Sequence, residues 1–357
     1  MWHFWSYLCL FSRTAEKCVS KVKWFLILGS AVVAPPTPAP PATTARPTAA
    51  PPATSSAPPG SIDCPAGCKT QITINQVWAQ EANGYDRTAE VLIPATAIKL
   101  PVVIDLHGSG GNANTARLGS FLTKSVIVAP QGYQNQWNIV KENSKAPDVD
   151  FMIELLKKVA EIQQADMDDV TLFGTSNGAG YIYRLLIETR NARPFKRVIP
   201  TVSCMAFQQN HDDSFWTPAN QDNTGENIYD QAIVPDSPGP EVIYLHGTAD
   251  RAVPYEEGQS LGLTFLGAQK TAFLLAKAFG YTGTQITDSA GTAVQTGITK
   301  YEYTTTGNKV THYKMQDMGH NAFDPLYSVW VKDLLVTTIE SNFFTDIKKK
   351  FNRTFKL

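Results

Sequence analysis

Short apolar runs alternate with longer amphipathic stretches along the chain after residue 60. The apolar runs have the length and the flanking Gly, Pro and Asn residues that are typical of strands. They are Gln71–Ala79, Thr88–Ile93, Val102–His107, Val126–Ala129, Val170–Phe173, Val198–Ser203, Val242–His246 and Val310–Met315. The amphipathic stretches, in which apolar residues recur at helical spacing, are Asp148–Ile162, Ala179–Glu188, Ala268–Phe279 and Leu326–Phe343.

This alternation of strands and helices predicts a mainly parallel sheet flanked by helices, with the first two strands as an antiparallel entry. The segment Ala206–Pro240 interrupts the pattern, because it is polar, rich in Asn, Asp and Gln, and long for a connection within a compact domain. Long connections of this kind are usually functional or mobile. We therefore expect this segment to form a lid or a wall of a pocket.

Composition divides the chain into four parts. Residues 34–60 consist mainly of Pro, Ala and Thr and contain few large apolar side chains, which is typical of a linker. Before the linker, a run of basic residues precedes the apolar stretch Trp24–Ala34, which is short for a membrane-spanning helix. We predict a signal peptide at 1–31, a linker at 32–60, a catalytic domain at 61–345 and a basic tail at 346–357. The protein is then secreted or displayed on the extracellular surface, with an N-terminal membrane anchor as the alternative.

The net charge excludes some classes of binding partner, and the cysteine spacing predicts one disulfide. The formal net charge is −1, so the chain has no basic field that would attract nucleic acid or anionic lipid. Cys64 and Cys68 are spaced to close a small disulfide in an oxidising compartment. Cys204 ends an apolar run and is expected either to be buried as a free thiol or to pair with one of the other two. The sequence leaves the oligomeric state open.

The pentapeptide Gly174-Thr175-Ser176-Asn177-Gly178 carries the first chemical signal. It has the form G-x-S-x-G, and it lies between a buried-strand pattern and a helical pattern. A sharp turn from strand to helix needs glycines, and it raises the serine hydroxyl above the sheet. We predict that Ser176 is the nucleophile of an α/β-hydrolase fold. An ordinary glycine-rich turn with a surface serine is the alternative.

The partners of this serine should follow it in the order acid, then histidine. His320 lies in a loop just past the last predicted strand, whereas His312 lies within that strand and is expected to be structural. Asp250 follows the strand Val242–His246, with Asp288 and Asp317 as runners-up. We predict His320 as the base that activates Ser176, and Asp250 as the acid that orients it.

An oxyanion hole needs two backbone N–H groups. We predict that Asn177, which follows the nucleophile, supplies one, and that Ser109 in the run His107–Gly111 supplies the other. His107 comes too early in the chain to be the base and is expected to be structural. This chemistry requires neither a metal nor an organic cofactor.

Four motifs together resemble the secreted esterases of carbohydrate esterase family 1, which include feruloyl and acetylxylan esterases, and the related poly(3-hydroxybutyrate) depolymerase group. The resemblance spans most of Pro101–Pro325 and rests mainly on Leu106–Gly110, Gly174–Gly178, His246–Asp250 with Val253-Pro254-Tyr255, and Gly319-His320. It implies the same nucleophile, acid, base and oxyanion donors. It also implies a serine carboxylic ester hydrolase acting through an acyl-enzyme on plant cell-wall or polyester esters, some of them polymeric.

The segments around the pocket depart from that family. Many relatives have Trp-Pro soon after the histidine, whereas this chain has Asn321-Ala322-Phe323, so Phe323 is expected to form the aromatic wall. Trp137 and Trp216 are candidates for stacking on an aromatic acyl group or a sugar, the alternative being that they are simply packed. Three other interpretations remain: a serine peptidase on the same fold, a non-catalytic surface adhesion protein, and a membrane-tethered form of the esterase.

Overall fold

The computed structural model describes residues 61–188, 195–219, 227–305 and 307–340. The predicted signal peptide at 1–31, the linker at 32–60 and the tail at 346–357 lie outside these residues. The helices are α1 (Thr115–Gly119), α2 (Asp148–Val159), α3 (Asn177–Glu188), α4 (Ala268–Ala278) and α5 (328–340). Short 3₁₀ turns occur at Tyr133–Asn135, Phe207–Gln209 and Asp288–Ala290.

The strands form one large sheet and two small ones. They are β1 (Cys68–Trp78), β2 (Glu81–Ile93), β3 (Leu100–Leu106), β4 (Val126–Pro130), β5 (Ala165–Thr175), β6 (Phe195–Thr201), β7 (Asn210–His211), β8 (Ser214–Pro218), β9 (Tyr229–Ile233), β10 (Glu241–Gly247), β11 (Gly258–Ser260), β12 (Leu263–Phe265), β13 (Thr292–Gln295), β14 (Ile298–Thr304) and β15 (Lys309–Met315). In the large sheet the order is β1-β2-β4-β3-β5-β6-β10-β15-β14-β13.

The centre of the large sheet is parallel and its two edges are antiparallel. Strands β4, β3, β5, β6, β10 and β15 run parallel. The pair β1 and β2 joins one edge and the pair β14 and β13 joins the other, all by antiparallel pairing. Parallel neighbours place their carboxyl ends at the same edge of the sheet, and the loops that follow β3, β5, β10 and β15 therefore converge there.

The two faces of this sheet bury separate apolar clusters. Side chains alternate between the faces of a strand, so that in β3 the side chains of Val102, Ile104 and Leu106 pack on one face and that of Val103 packs on the other. Helices α2, α3 and α4 cover the first face, and α1 and α5 cover the second. A mainly parallel sheet covered on both faces, with a serine in a turn between strand and helix at its carboxyl edge, is the α/β-hydrolase fold, which confirms the predicted fold class.

The predicted elements match the structure, although some strands extend well beyond their predicted ends, as β2 does by beginning at Glu81 rather than Thr88. Each predicted strand and helix is present, and the antiparallel pairing of the first two strands is confirmed by the register that joins Cys68 to Ile93. Strands β13 and β14 were missed. The side chains of β13 are all exposed, and β14 interleaves buried Ile and Tyr side chains with partly exposed polar ones, so neither strand shows a continuous apolar run. Ala206–Pro240 is not a plain loop, because it contains the small sheet β7-β8-β9.

Two observations concern the cysteines and the membrane. Cys64 and Cys68 form the predicted local disulfide, and Cys204 is a buried free thiol. Among the residues described, the helices are all too short or too polar to cross a bilayer.

A buried ion pair joins strand β2, near one edge of the large sheet, to the start of helix α2. Arg87 on β2 and Asp148 at the start of α2 lie 2.6 Å apart, and both side chains are fully buried. The other oxygen of Asp148 accepts the backbone N–H of Asn138 at 2.6 Å. Removing one partner of such a pair leaves an uncompensated charge in the core.

We expect Asp148→Ala to lower the free energy of unfolding by about 3–5 kcal/mol, measured by urea denaturation. The matched control is Glu154→Ala, which breaks the exposed pair of Glu154 with Lys157 on the same helix and should cost less than about 1 kcal/mol. Equal losses in the two variants would show that the buried pair is not a principal link in the fold.

Candidate active site

The turn between β5 and α3 holds Ser176 in an unusual backbone conformation. Its φ is +55°, in the left-handed region that only a few per cent of residues other than glycine adopt. A Cβ atom at Gly178 would lie 2.3 Å from the carbonyl oxygen of Leu106, so α3 can start directly against the end of β3 only with glycine there. The backbone N–H of Ser176 donates to Thr201 O at 3.0 Å. These contacts present the hydroxyl above the edge of the sheet.

Three predicted residues meet at this edge. His320 Nε2 lies 2.8 Å from Ser176 Oγ, and His320 Nδ1 lies 2.8 Å from one oxygen of Asp250 and 3.0 Å from the other. With Nδ1–H donating to the carboxylate, Nε2 is free to accept the serine proton. The structure thus brings together Ser176, Asp250 and His320, whereas the runner-up Asp288 forms an ion pair with Lys314.

Backbone hydrogen bonds join the loops that carry the acid and the histidine. Thr248 N–H donates to Met315 O at 2.9 Å, and Ala249 N–H donates to Met318 O at 3.0 Å. A Cβ at Gly247 would lie 2.1 Å from Met318 O, so glycine permits this approach. The spacing between Asp250 and His320 is therefore set by main-chain contacts between neighbouring strands.

A second imidazole, not foreseen from the sequence, faces the same carboxylate. His246 is fully buried, and its Nε2 lies 3.3 Å from Asp250 Oδ2 and 3.0 Å from Val253 O. Burial disfavours a charge on His246, but Cys204 and Asp250 beside it outweigh this and raise its pKa. Burial likewise acts to raise the pKa of Asp250, but hydrogen bonds from the two imidazoles outweigh it and hold that pKa well below its usual value. The acid is thereby kept ionised.

The other histidines have structural contacts. His107 Nδ1 donates to Gly108 O at 2.7 Å, and its Nε2 accepts from Gly132 N–H at 3.0 Å, which holds the loop after β3. His312 accepts from the Tyr255 hydroxyl at 2.9 Å, and burial lowers its pKa to about 3, so it is neutral. His211 packs against the ring of Trp216. These contacts agree with the structural roles that the sequence predicts for His107 and His312.

The loop and the helix start that carry the two predicted oxyanion donors lie beside the serine. A Cβ at Gly108 would lie 3.3 Å from Ser176 Cβ, so the loop carrying Ser109 runs next to the nucleophile. Within the described part of the chain, no acceptor takes the N–H of Ser109 or that of Asn177. Both donors are available for charge that develops on a substrate oxygen.

The loop at residues 136–142 contacts both Ser109 and Asn177, the two residues predicted to form the oxyanion hole. The Asn177 side chain accepts from Trp137 N–H at 2.7 Å and donates to Trp137 O at 3.1 Å and to Glu142 at 3.2 Å. From the same loop, Gln136 donates to Ser109 Oγ at 3.0 Å. Burial raises the pKa of Glu142 and outweighs the hydrogen bonds from backbone N–H groups, which act to lower it. Residues 136–142 thus hydrogen-bond to the side chains of both residues whose N–H groups are the predicted oxyanion donors.

A cavity of about 250 Å³ opens beside Ser176. Its mouth includes the exposed residues Ser109, Lys141 and Leu261, and its buried walls are mostly apolar. The predicted pocket segment contributes Ala206 and Gln209. Cys204 also lines the cavity, where its Sγ lies 3.5 Å from His246 Nδ1.

The three aromatic residues proposed for substrate contact lie elsewhere. Trp137 is fully buried, stacks on Tyr181 and donates to His107 O at 2.9 Å, so its prediction as a stacking surface is wrong. Trp216 packs against His211, and Phe323 is partly buried against the second apolar cluster. Neither lines the cavity. Trp137 is part of the core, and Trp216 and Phe323 are partly buried against it, a packing role that a single sequence does not distinguish from a role in binding.

No group of three or more His, Cys, Asp or Glu side chains suited to a metal ion occurs in residues 61–188, 195–219, 227–305 and 307–340.

A serine activated in this way reacts with organophosphorus reagents. The rate of that reaction in substituted proteins shows which carboxylate orients His320. We expect Asp250→Asn to slow labelling of Ser176 by a fluorophosphonate by about 10³- to 10⁴-fold, because the amide favours the wrong tautomer of His320. The control Asp317→Asn, at a positive φ that Asn also adopts readily, should label at the rate of the unsubstituted protein. A slow Asp317→Asn and a normal Asp250→Asn would reassign the acid.

One known protein family and several solved structures are similar to this chain. The model of the prolyl oligopeptidase family matches residues 129–276, a stretch that includes Ser176 and Asp250 and ends before His320. No curated protein sequence matches the chain. Similar solved structures include an acylaminoacyl peptidase of Pyrococcus horikoshii (TM-score 0.45, 14% identity, 76% of this chain and 41% of that one). Others are an S-formylglutathione hydrolase from Agrobacterium tumefaciens (TM-score 0.42, 16% identity, 76% and 94%) and an acetyl xylan esterase from Aspergillus awamori (TM-score 0.47, 13% identity, 70% and 94%).

The chain thus spans less than half the length of the archaeal peptidase. Its own topology, together with the Ser–His–Asp arrangement at the carboxyl edge of the sheet, identifies the α/β-hydrolase fold.

Proposed function

We propose that the protein is a carboxylic ester hydrolase that works through an acyl-enzyme. The observation that carries the proposal is the alignment of Ser176, His320 and Asp250 at the mouth of a small, mainly apolar cavity. The resemblance of the sequence motifs to those of carbohydrate esterase family 1 supports an ester, rather than an amide, as the bond that is cleaved.

The geometry supports a two-step reaction. His320 Nε2 takes the proton from Ser176 Oγ as that oxygen attacks the ester carbonyl. The N–H groups of Ser109 and Asn177 stabilise the resulting oxyanion. His320 then gives its proton to the departing alcohol, and a water molecule activated by the same imidazole hydrolyses the acyl-serine to release the acid.

The size of the cavity favours short acyl groups. Ligand pockets commonly measure about 300–1,000 Å³, and the cavity beside Ser176, at about 250 Å³, lies below this range. Its buried walls are mostly apolar. Among the substrates suggested by the sequence, acetylated polysaccharides and short hydroxyalkanoate esters therefore come first.

We also propose, from the sequence, that the protein is secreted or displayed on the extracellular surface. The basic and apolar N-terminal segment, followed by the Pro/Ala/Thr linker, supports secretion or display on the extracellular surface. The local disulfide between Cys64 and Cys68 suits an oxidising compartment.

Peptide hydrolysis is the second candidate, and the match to the prolyl oligopeptidase family favours it. The two activities use the same catalytic residues, so they differ in the bond that is cleaved. A p-nitrophenyl ester and a p-nitroanilide with the same acyl group separate them. Cleavage of the anilide at a rate comparable to the ester would favour the peptidase.

We expect the full chain to hydrolyse p-nitrophenyl acetate and butyrate, and Ser176→Ala to lower kcat by about 10⁴-fold or more, because removal of the nucleophile leaves only binding and the oxyanion hole. Ser120→Ala, which removes an exposed hydroxyl after α1, serves as the matched control and should retain full activity. Release of p-nitrophenol is followed by absorbance.

Equal activity in Ser176→Ala would place the reaction at another site. A folded wild-type protein that cleaves neither ester would contradict the proposed function.

A further inference from the structure

We propose that Leu261 is a specificity-determining residue that holds the end of a linear aliphatic acyl chain, butanoyl to hexanoyl, at the mouth of the cavity. The proposal rests on the proposed ester hydrolysis and adds a chain-length preference to it. Leu261 lies between strands β11 and β12, is 70% exposed and lines the cavity that Ser176 also lines.

Strand β12 and the turn before it carry an apolar track that runs from the interior of the cavity to its mouth. Leu261, Leu263 and Phe265 line the cavity, whereas the intervening Gly262 and Thr264 do not. This alternation is the one expected where successive side chains point to opposite faces. Phe265 is buried, Leu263 is half-buried and Leu261 is exposed. An acyl chain attached to the serine can therefore lie along this apolar track toward solvent.

The backbone holds Leu261 in a conformation that leucine does not favour. Ser260 pairs with Leu263, so Leu261 and Gly262 form a two-residue turn, with φ of +52° and +72°. Turns of this kind favour Asn-Gly, because Asn adopts a positive φ more readily than a bulky apolar residue does. Leucine is thus unfavourable here both in its φ and in its exposure to water. Strained residues cluster at functional sites, and contact with an apolar ligand would give this leucine a function.

Hydrogen bonds hold the turn beside the catalytic residues. Ser260 Oγ donates to Ala252 O at 2.7 Å, and Ala252 N–H donates to the carboxylate of Asp250 at 2.9 Å. On the other side, a Cβ at Gly262 would lie 3.9 Å from Lys141 Nζ, so the turn reaches the loop that contacts the predicted oxyanion donors. The turn therefore lies between that loop and the loop that carries the acid.

The ligand class follows from the apolar track. Its side chains are hydrocarbon, so they favour a hydrocarbon chain, and each methylene that is fully buried strengthens binding by about fourfold. An acetyl group has only one methyl beyond its carbonyl carbon and gains little from the track. Butanoyl and hexanoyl chains extend along it, and the end of the longer chain covers Leu261.

Esters of p-nitrophenol with increasing acyl length test this preference. The series is acetate, butyrate and hexanoate, assayed as kcat/KM with the full-length protein. We expect the wild-type protein to prefer hexanoate to acetate by about tenfold or more. Leu261→Asn should reduce this ratio by about fivefold, because it removes the apolar contact at the mouth. Its midpoint of thermal unfolding should not fall, since Asn suits the turn.

Three further substitutions separate the side chain from the turn. Leu261→Gly, which also suits a positive φ, should lose the preference as Leu261→Asn does, and it repeats the test if the first variant does not fold. Leu261→Met keeps an apolar side chain of similar size and should retain the preference. Leu326→Asn is the matched control, because Leu326 is 65% exposed but does not line the cavity. It should keep the wild-type ratio.

The possible failures are distinguishable. If the wild-type protein hydrolyses none of the three esters, the proposed function fails. If it hydrolyses the acetate at least as well as the hexanoate, or if Leu261→Asn and Leu261→Gly keep the wild-type ratio, the inference about Leu261 is overturned while the ester hydrolase stands. An equal loss of activity on all three esters would place Leu261 against the p-nitrophenyl group and would also overturn the inference.

Discussion

The close approach of helix α3 to the end of strand β3 is the constraint on which the site depends. Gly178 lies against Leu106 O, where a Cβ would come within 2.3 Å, and Gly174 lies against Gly178 O, where a Cβ would come within 2.6 Å. This crowding forces Ser176 into a positive φ and points its hydroxyl out of the sheet. The same approach brings the loop after β3 beside the serine, so nucleophile and oxyanion donors are positioned by one packing contact.

The carboxylate of Asp250 has a comparable role on the other side of the site. It accepts hydrogen bonds from the backbone N–H groups of Ala252 and Val253 and faces the imidazoles of His246 and His320. An ionised carboxylate in this position stabilises the imidazolium that forms on His320 during the reaction. Because its hydrogen-bonding partners come from its own loop, from β10 and from the loop after β15, the acid also ties these elements together.

The sequence was informative where one local pattern determines the outcome. Glycines around Ser176 and a strand followed directly by a helix predicted the turn, and the chain order predicted which aspartate and histidine would meet it. It was uninformative where the result depends on packing between distant segments. Trp137 is buried because Tyr181, from another helix, stacks on it, and the contact of His246 with Asp250 depends on a turn whose shape no short pattern specifies.

The most direct test of this account is to find the atom that becomes acylated. The full-length protein is treated with p-nitrophenyl dimethylcarbamate, whose carbamoyl-serine hydrolyses slowly, and is then digested and mapped by mass spectrometry. The account predicts one dimethylcarbamoyl group on the peptide that contains Ser176, formed together with one equivalent of p-nitrophenol. A carbamoyl group on Cys204 or on a histidine, with Ser176 unmodified, would contradict it.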